Sequence, residues 1–167
     1  MPRPLAETLA PDDDVRFLRR ALALAAENVE RGDGGPFGAL IVRDGQAIAE
    51  ARNHVLSRND PTAHAEIQAI RMACQAIGHF HLENCVLYAS SEPCPMCLAA
   101  AYWARLARIV YANSRLQAGN AGFADDDLYR ELRQPHAARR IPIQRIILTD
   151  ADAPFAAWRN SARRQDY

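Results

Sequence analysis

Two pairs of reactive side chains, far apart along the chain, place the strongest constraint on its fold. His64 and Glu66 stand two residues apart, and Cys94 and Cys97 form the pattern Pro-Cys-Pro-Met-Cys. We predict that each pair lies near the start of a helix, where unpaired N–H groups and the helix dipole lower the pKa of a cysteine. One imidazole and two thiolates can hold a zinc ion and leave its fourth tetrahedral position open. The fold must therefore bring two helix N-termini together.

Glu66 adds a reaction to this metal site. Zinc lowers the pKa of bound water to about 7, and a nearby carboxylate would act first as general base and then as acid. His-x-Glu alone is common, but together with Pro-Cys-x-x-Cys it is the pattern of zinc-dependent nucleobase deaminases. Positions i and i+2 diverge on an ideal helix, so His64 and Glu66 can face one site only from an open helix end.

Two other uses of the cysteines stay open at this point. A thioredoxin-type redox pair at Cys94 and Cys97 would not explain the His-x-Glu motif. A closed structural zinc site that also used Cys74 and Cys85 would leave Glu66 without a role. We expect Cys74 and Cys85 to be small buried apolar side chains instead.

The order of predicted elements indicates one layered α/β domain over residues 1–167. Helix-like and strand-like segments alternate, and an early hairpin at Asp44 and Gly45 makes the sheet mixed rather than parallel. Asp60 and Pro61 have the chemistry of a helix cap and first helical residue. Helices are predicted at residues 12–31, 61–77, 95–103, 126–132 and 151–164, strands at 37–42, 47–53, 84–90, 107–111 and 143–148, and a loop at 113–122.

The composition narrows the classes of partner. The chain has 20 acidic and 20 basic residues, and every basic one is arginine, which excludes a Schiff-base lysine. Balanced charge argues against a nucleic-acid partner, because nucleic-acid-binding domains carry a basic excess. The sequence has no apolar run that would cross a bilayer and no apolar N-terminal stretch typical of a signal peptide. We therefore expect a cytoplasmic protein without a membrane partner.

In its longer motifs the chain resembles the bacterial guanine deaminases of the cytidine-deaminase superfamily. The similarity covers roughly Val15 to the C-terminus and is strongest in residues 34–39, 59–66, 92–98, 102–105, 121–123 and 157–167. The earlier motifs are shared by many deaminases of the superfamily, whereas the Gly-Phe-x-Asp stretch and the aromatic, arginine-rich tail point to guanine. The resemblance implies a three-layer α/β/α cytidine-deaminase-like fold with a mixed five-stranded sheet. It also implies hydrolytic deamination of guanine to xanthine and ammonia.

The resemblance assigns roles to the metal-binding and catalytic residues. His64, Cys94 and Cys97 would bind one zinc ion per subunit, and Glu66 would shuttle protons. Asp125 would read the guanine and assist proton transfer. A small purine base is the implied substrate.

Further residues would form the substrate pocket, again by resemblance. Asn53 would hydrogen-bond the edge of the purine, and Phe37 and Trp103 would line the pocket around its ring. Ala65 would also contact the substrate, and Tyr167 would close the active site of a partner subunit. The resemblance thus implies a homodimer that exchanges its C-terminal segment, here residues 151–167. Residues 1–11 have no counterpart in the family and are expected to form a flexible extension.

The chain departs from the family pattern in three places. Ser91 stands where the family has a cysteine, and Leu106 stands where it has a proline. Ala124 delays the acidic run by one residue, which leaves a choice between Asp125 and Asp126 as the substrate-reading acid. We predict Asp125, because the residues that follow then stay in register.

Three other functions stay open from the sequence. The same metal chemistry would serve a deaminase of another small substrate, such as cytosine, a triazine or a nucleoside. A tRNA adenosine deaminase shares the zinc motifs, but it must also grip a polyanion and flip out a base. An interaction domain with an inactive zinc site is the non-enzymatic reading. Turnover on a panel of substrates separates the three.

Overall fold

The structure is a computed structural model that describes residues 11–166. Residues 1–10, which make up most of the expected extension, lie outside the described residues, as does Tyr167; residue 11 already belongs to the first helix. Within the described part of the chain, none of the helices has both the length and the apolar character that a membrane crossing requires. The helices are α1 (Pro11–Arg31), α2 (Val55–Arg58), α3 (Ala65–Ile77), α4 (Pro95–Trp103), α5 (Arg115–Asn120), α6 (Asp125–Leu132) and α7 (Ala153–Arg159), with a 3-10 turn at His136–Ala138, and the strands are β1 (Gly38–Arg43), β2 (Gln46–Arg52), β3 (Cys85–Ser91) and β4 (Arg108–Asn113).

The strands form one mixed sheet in the order β2-β1-β3-β4. Strand β1 pairs antiparallel with β2 and with β3, whereas β3 and β4 are parallel. The hairpin between β1 and β2 turns at Asp44 and Gly45, whose φ angles of 50° and 72° are those that a two-residue turn requires. The predicted mixed α/β sheet is confirmed.

Helices cover both faces of the sheet because side chains of β1 alternate in direction. Leu40 and Val42 pack with Phe17 of α1 in one apolar cluster. Ala39 and Ile41 point the other way and pack with the alanines of α3 in a second cluster. These two clusters give the three-layer α/β/α arrangement that the resemblance implies.

The sheet has four strands in the described residues, so the expectation of five is wrong for this chain. Residues 143–148, where a fifth strand was predicted, form no strand. Ile146 and Ile147 in this segment are 67% and 81% exposed. A further strand would have to pair its backbone N–H and C=O groups with a sheet edge, and in the described chain β4 keeps one edge unpaired.

Two other local expectations are corrected by turn and cap chemistry. Helix α3 begins at Ala65 and not at residue 61. The reason is that the Asp60 carboxylate accepts hydrogen bonds from the N–H and hydroxyl of Thr62, at 2.8 and 2.7 Å, and closes a turn. The predicted loop at residues 113–122 contains α5, because Ser114 and Gln117 cap its start reciprocally.

Candidate active site

Two helix N-termini meet at one point and bring three potential metal ligands together. His64 is the N-cap of α3, Cys94 is the N-cap of α4, and Cys97 lies in the first turn of α4. The Nδ1 atom of His64 is 3.6 Å from each of the two sulfur atoms. Tetrahedral zinc, with bonds of about 2.3 Å to sulfur and about 2.0 Å to nitrogen, would separate nitrogen from sulfur by about 3.5 Å. The donor set and its spacing therefore fit zinc.

The pKa values of the two cysteines are shifted in opposite directions. Hydrogen bonds with Cys97 and with His64 lower the pKa of Cys94 to about 4. The hydrogen bond with Cys94, together with burial, raises the pKa of Cys97. One thiolate thus forms readily, and the second thiol must give up its proton when a metal binds.

Glu66 lies beside the ligands in the first turn of α3 and is 7% exposed. Burial raises the pKa of this carboxyl to about 7. His64 precedes the helix and has an extended backbone (φ −65°, ψ 153°), so the direction of its side chain is not fixed by the helical repeat. This open helix end allows His64 and Glu66 to serve one site although they are two residues apart.

A cavity of about 390 Å³ opens next to the metal ligands. Phe37 and Phe123 meet edge to face there, with ring centroids 4.7 Å apart. The cavity is mostly apolar and carries a few polar side chains, as small-molecule sites do. Its lining consists of Gly34, Gly35, Phe37, Asn53, Val55, Leu56, Pro61, His64, Glu66, Glu92, Cys94, Phe123 and Asp125.

Asn53 enters this cavity in a fixed orientation. Its Oδ1 accepts a hydrogen bond from the N–H of Val55 at 3.0 Å, which leaves the Nδ2 group as a donor. Its backbone carbonyl accepts a hydrogen bond from the side chain of Asn28 at 2.9 Å, and Asn28 also donates to the carbonyl of Gly35 at 2.8 Å. A Cβ on Gly34 would lie 2.2 Å from the Asn53 Oδ1, so the two residues fit only while residue 34 is glycine.

Asp125 and Asp126 point to different surroundings. Asp125 begins α6 and lines the cavity, and burial raises the pKa of its carboxyl. Asp126 is 56% exposed and forms ion pairs with Arg115 and Arg130, at 3.3 and 3.9 Å. Of the two acids, the structure therefore places Asp125 in the cavity.

Two of the residues suggested by resemblance are not among those that line this cavity. Trp103, at the end of α4, is 67% exposed and lines a separate hollow together with Trp158. The side chain of Ala65 is buried in the core beneath α3, so only its backbone can meet a substrate. Tyr167 lies outside the described residues.

Phe123 and Leu56 are among the pocket residues that received no role from the sequence. Phe123 belongs to the Gly-Phe-x-Asp motif, which was the available signal, and Leu56 sits on the unpredicted helix α2. Leu56 had no signal because a four-residue helix has too little periodicity to detect.

Comparison with known proteins agrees with this geometry. Residues 11–113 match the family model of the cytidine and deoxycytidylate deaminase zinc-binding region. The chain therefore belongs to this family of zinc-dependent deaminases. Within the family it is 52% identical over 151 residues to guanine deaminase of Bacillus subtilis, a match that spans 90% of this chain and 97% of that protein.

The similarity to guanine deaminase holds in three dimensions. The X-ray structure of guanine deaminase from Bacillus subtilis matches with a TM-score of 0.90 at 49% identity, covering 95% of this chain and 99% of that chain. The tRNA-specific adenosine deaminase of Agrobacterium fabrum is 47% identical over 95 residues, which is 57% of this chain and 62% of that protein. The family resemblance is confirmed, and so is the cytidine-deaminase-like α/β fold with a mixed sheet flanked by helices.

Proposed function

We propose that the cavity is the site at which guanine is hydrolysed to xanthine and ammonia. The observation that carries this is the composition of one cavity, in which Glu66 and two metal ligands stand with the hydrogen-bonding groups of Asn53 and Asp125. The similarity to guanine deaminase over nine-tenths of the chain supports the choice of substrate.

His64, Cys94 and Cys97 hold the zinc ion in this proposal. When bound, zinc lowers the pKa of a water at its fourth position to about 7. Glu66 would take one proton from the water as its oxygen bonds to C2 of guanine, and would give that proton to the adjacent ring nitrogen. It would then take the second proton from the oxygen now on C2 and give it to the amino group. The C2–N bond breaks as the carbonyl of xanthine forms, and ammonia leaves. A carboxyl whose burial raises the pKa to about 7 is suited to both accepting and giving a proton near neutrality.

Recognition of the base rests on the remaining cavity residues. The Nδ2 group of Asn53 donates to an acceptor on the purine edge, and Asp125 contacts N–H groups of guanine. Phe37 forms an apolar wall for the ring, and Ala65 contributes through its backbone. A site of this kind rejects analogues strongly, because a wrong edge leaves its buried polar groups unpaired.

The same proposal includes a homodimer that exchanges residues 151–167, with Tyr167 closing the partner's site. The support is apolar surface near the C-terminus, where Ile147 and Phe155 are 81% and 66% exposed. The open edge of β4 offers a place for an extended segment of a second chain.

We also propose a cytoplasmic location, since all four cysteines are free thiols, as is usual in a reducing compartment.

The test is ammonia release by the zinc-loaded protein on guanine, with cytosine, adenine, guanosine and an adenosine-bearing tRNA anticodon stem in parallel. We expect rapid turnover of guanine alone. Activity on another substrate and none on guanine would overturn the substrate while keeping the metal site. Activity on the anticodon stem with salt-dependent binding would indicate a tRNA deaminase.

A further inference from the structure

Helix α6 carries Asp125 but has little apolar packing to hold it. None of its residues, all of which lie in the described part of the chain, is buried. Residues 92–97, which contain the two cysteine ligands, are called the metal-binding segment here. The links of α6 to this segment are polar, beginning with the Tyr129 hydroxyl, which donates to the carbonyl of Pro93 at 2.8 Å. The position of Asp125 in the cavity therefore depends on a few directional contacts.

Arg115, the first residue of α5, joins the two sides of this junction. Its backbone N–H donates to Glu92 Oε2 at 3.1 Å, and Glu92 lies just before the metal-binding cysteine motif. Its guanidinium Nε is 3.9 Å from Glu92 Oε1 and 3.3 Å from Asp126 Oδ1. The guanidinium carbon also lies 4.7 Å from the ring centroid of Tyr129. One side chain thus contacts the metal-binding segment and two residues of α6.

We propose that Arg115 is a positioning residue, which holds α6 against the metal-binding segment so that Asp125 faces the substrate. The proposal rests on the guanine-deaminating function and deepens it. A planar guanidinium can pair with carboxylates in its plane and stack on an aromatic ring at the same time, which a lysine ammonium cannot do. Arg115 is 35% exposed, so its ion pairs add little to overall stability, and its effect falls on geometry.

Arg130 provides a matched control on the same surface. It forms ion pairs with Asp126 and Asp127, and its side chain is 67% exposed. Both of its partners belong to its own helix. Arg130 therefore lacks the link to the metal-binding segment that distinguishes Arg115.

The experiment compares Arg115→Ala, Arg115→Lys and Arg130→Ala in the zinc-loaded protein. We expect Arg115→Ala to lower kcat/KM for guanine by about 10- to 100-fold, because small displacements of a positioned group have effects of this size. Zinc content should be unchanged, Arg115→Lys should recover part of the loss, and Arg130→Ala should behave as the native protein. Combined with Asp125→Asn, Arg115→Ala should add little further loss, since both act on the same contact.

A second readout does not depend on turnover. Amide hydrogen exchange of residues 125–132 should accelerate in Arg115→Ala while that of residues 95–103 does not. Unchanged kinetics and exchange in Arg115→Ala would overturn the proposal, as would a loss that is fully additive with Asp125→Asn. If the native protein deaminates a different base, the assignment of guanine as the substrate fails. The role of Arg115 is then tested with the same variants, by their kinetics on that base and by their amide hydrogen exchange.

Discussion

Glu66 and Asp125 are carboxylates of one cavity in unequal surroundings. Glu66 is almost fully enclosed at the start of α3, and burial raises its pKa to about 7. Asp125 is half-buried on a helix that lies at the surface, and burial raises its pKa as well. The more enclosed group is suited to proton transfer and the more accessible one to holding the substrate, a division of labour common to paired carboxylates.

The role of Glu66 can be tested by Glu66→Gln, which keeps the shape of the side chain and removes its titratable group. We expect turnover of guanine to fall by about 10²- to 10⁴-fold, the usual contribution of a general acid–base. Zinc content should not change, because Glu66 is not among the three ligands. Ammonia release and metal analysis of the purified variant measure both. Substantial residual turnover would refute the assigned role.

The choice between the two neighbouring acids is tested by Asp125→Asn and Asp126→Asn. Losing one hydrogen bond to a charged group should lower kcat/KM by about 10- to 100-fold in Asp125→Asn. Asp126→Asn keeps an oxygen opposite Arg115 and replaces only exposed ion pairs, so its loss should stay within about fivefold. Steady-state kinetics on guanine measure both losses. A larger loss in Asp126→Asn than in Asp125→Asn would show that Asp126 is the substrate-reading acid.

The site residues differ in how far the sequence alone could locate them. His64, Glu66 and the two cysteines need only two helix starts, and local spacing reveals these. The register of the downstream residues favours Asp125 over Asp126, and the direction of α6 then shows that Asp125 lines the cavity. Trp103 follows Cys97 by six residues on α4, about 240° round the helix, so the two side chains leave the helix in different directions.

At the scale of elements, the loop before β1 sets the position of Asn53. Gly34→Ala would place a methyl group 2.2 Å from Asn53 Oδ1, so Asn53 must move. We expect kcat/KM for guanine to fall by about 10- to 100-fold, while zinc binding is kept. Gly119→Ala in α5 is the control, since its Cβ meets nothing within 4 Å. Equal activity of the two variants would argue against a role for Asn53.

Helix α1 is fixed to the sheet by an acid-sensitive contact. The Asp14 carboxylate accepts hydrogen bonds from the Tyr88 hydroxyl, at 2.6 Å, and from Arg108. Burial raises the pKa of Asp14, but these hydrogen bonds outweigh it and leave the pKa below its ordinary value. A carboxyl whose pKa is lower in the folded state stabilises the protein above its unfolded pKa of about 3.9, and this contribution is lost as the pH falls through the folded value.

Asp14→Asn should therefore reduce the free energy of unfolding by about 1–3 kcal/mol at neutral pH. The difference from the native protein should begin to narrow below about pH 4, the unfolded pKa, and should disappear once the pH falls below the lowered folded pKa of Asp14, where the native carboxylate is protonated too. Urea unfolding across this pH range measures both curves. Asp13→Asn, which loses an exposed pair with Arg16, serves as the control, and a constant difference for Asp14→Asn would contradict the prediction.

Among the elements, the hairpin, the long helices and the first four strands could be predicted because their signals are local. The start of α3 could not, because Asp60 can cap a helix or close a turn on Thr62, and the local sequence is compatible with both. The prediction of a fifth strand at residues 143–148 was wrong for another reason. The segment has the apolar pattern of a strand, but within the described chain it does not pair with an edge of the sheet.

For the whole molecule, the prediction concerns residues 151–167. A chain that ends at residue 150 should keep its zinc and lose most of its turnover, and light scattering should show fewer dimers than in the native protein. If the segment acts in the partner's site, mixing this truncated chain with the Glu66→Gln chain should restore activity. The hybrid dimer then has one site with both Glu66 and a C-terminal segment. A mixture as inactive as its components would exclude exchange.

The position of the metal site between two helix N-termini also affects the stability of the folded protein. His64 belongs to α3 and the cysteines to α4, with all of β3 between them in the chain. A metal bound to both closes that stretch into a loop and so restricts the unfolded chain, as a disulfide would. The apolar cluster at this junction is small, with Ile67 and the two cysteines as its buried members. We therefore expect bound zinc to add to the free energy of unfolding, so that removal of the metal lowers the stability of the protein as well as its activity.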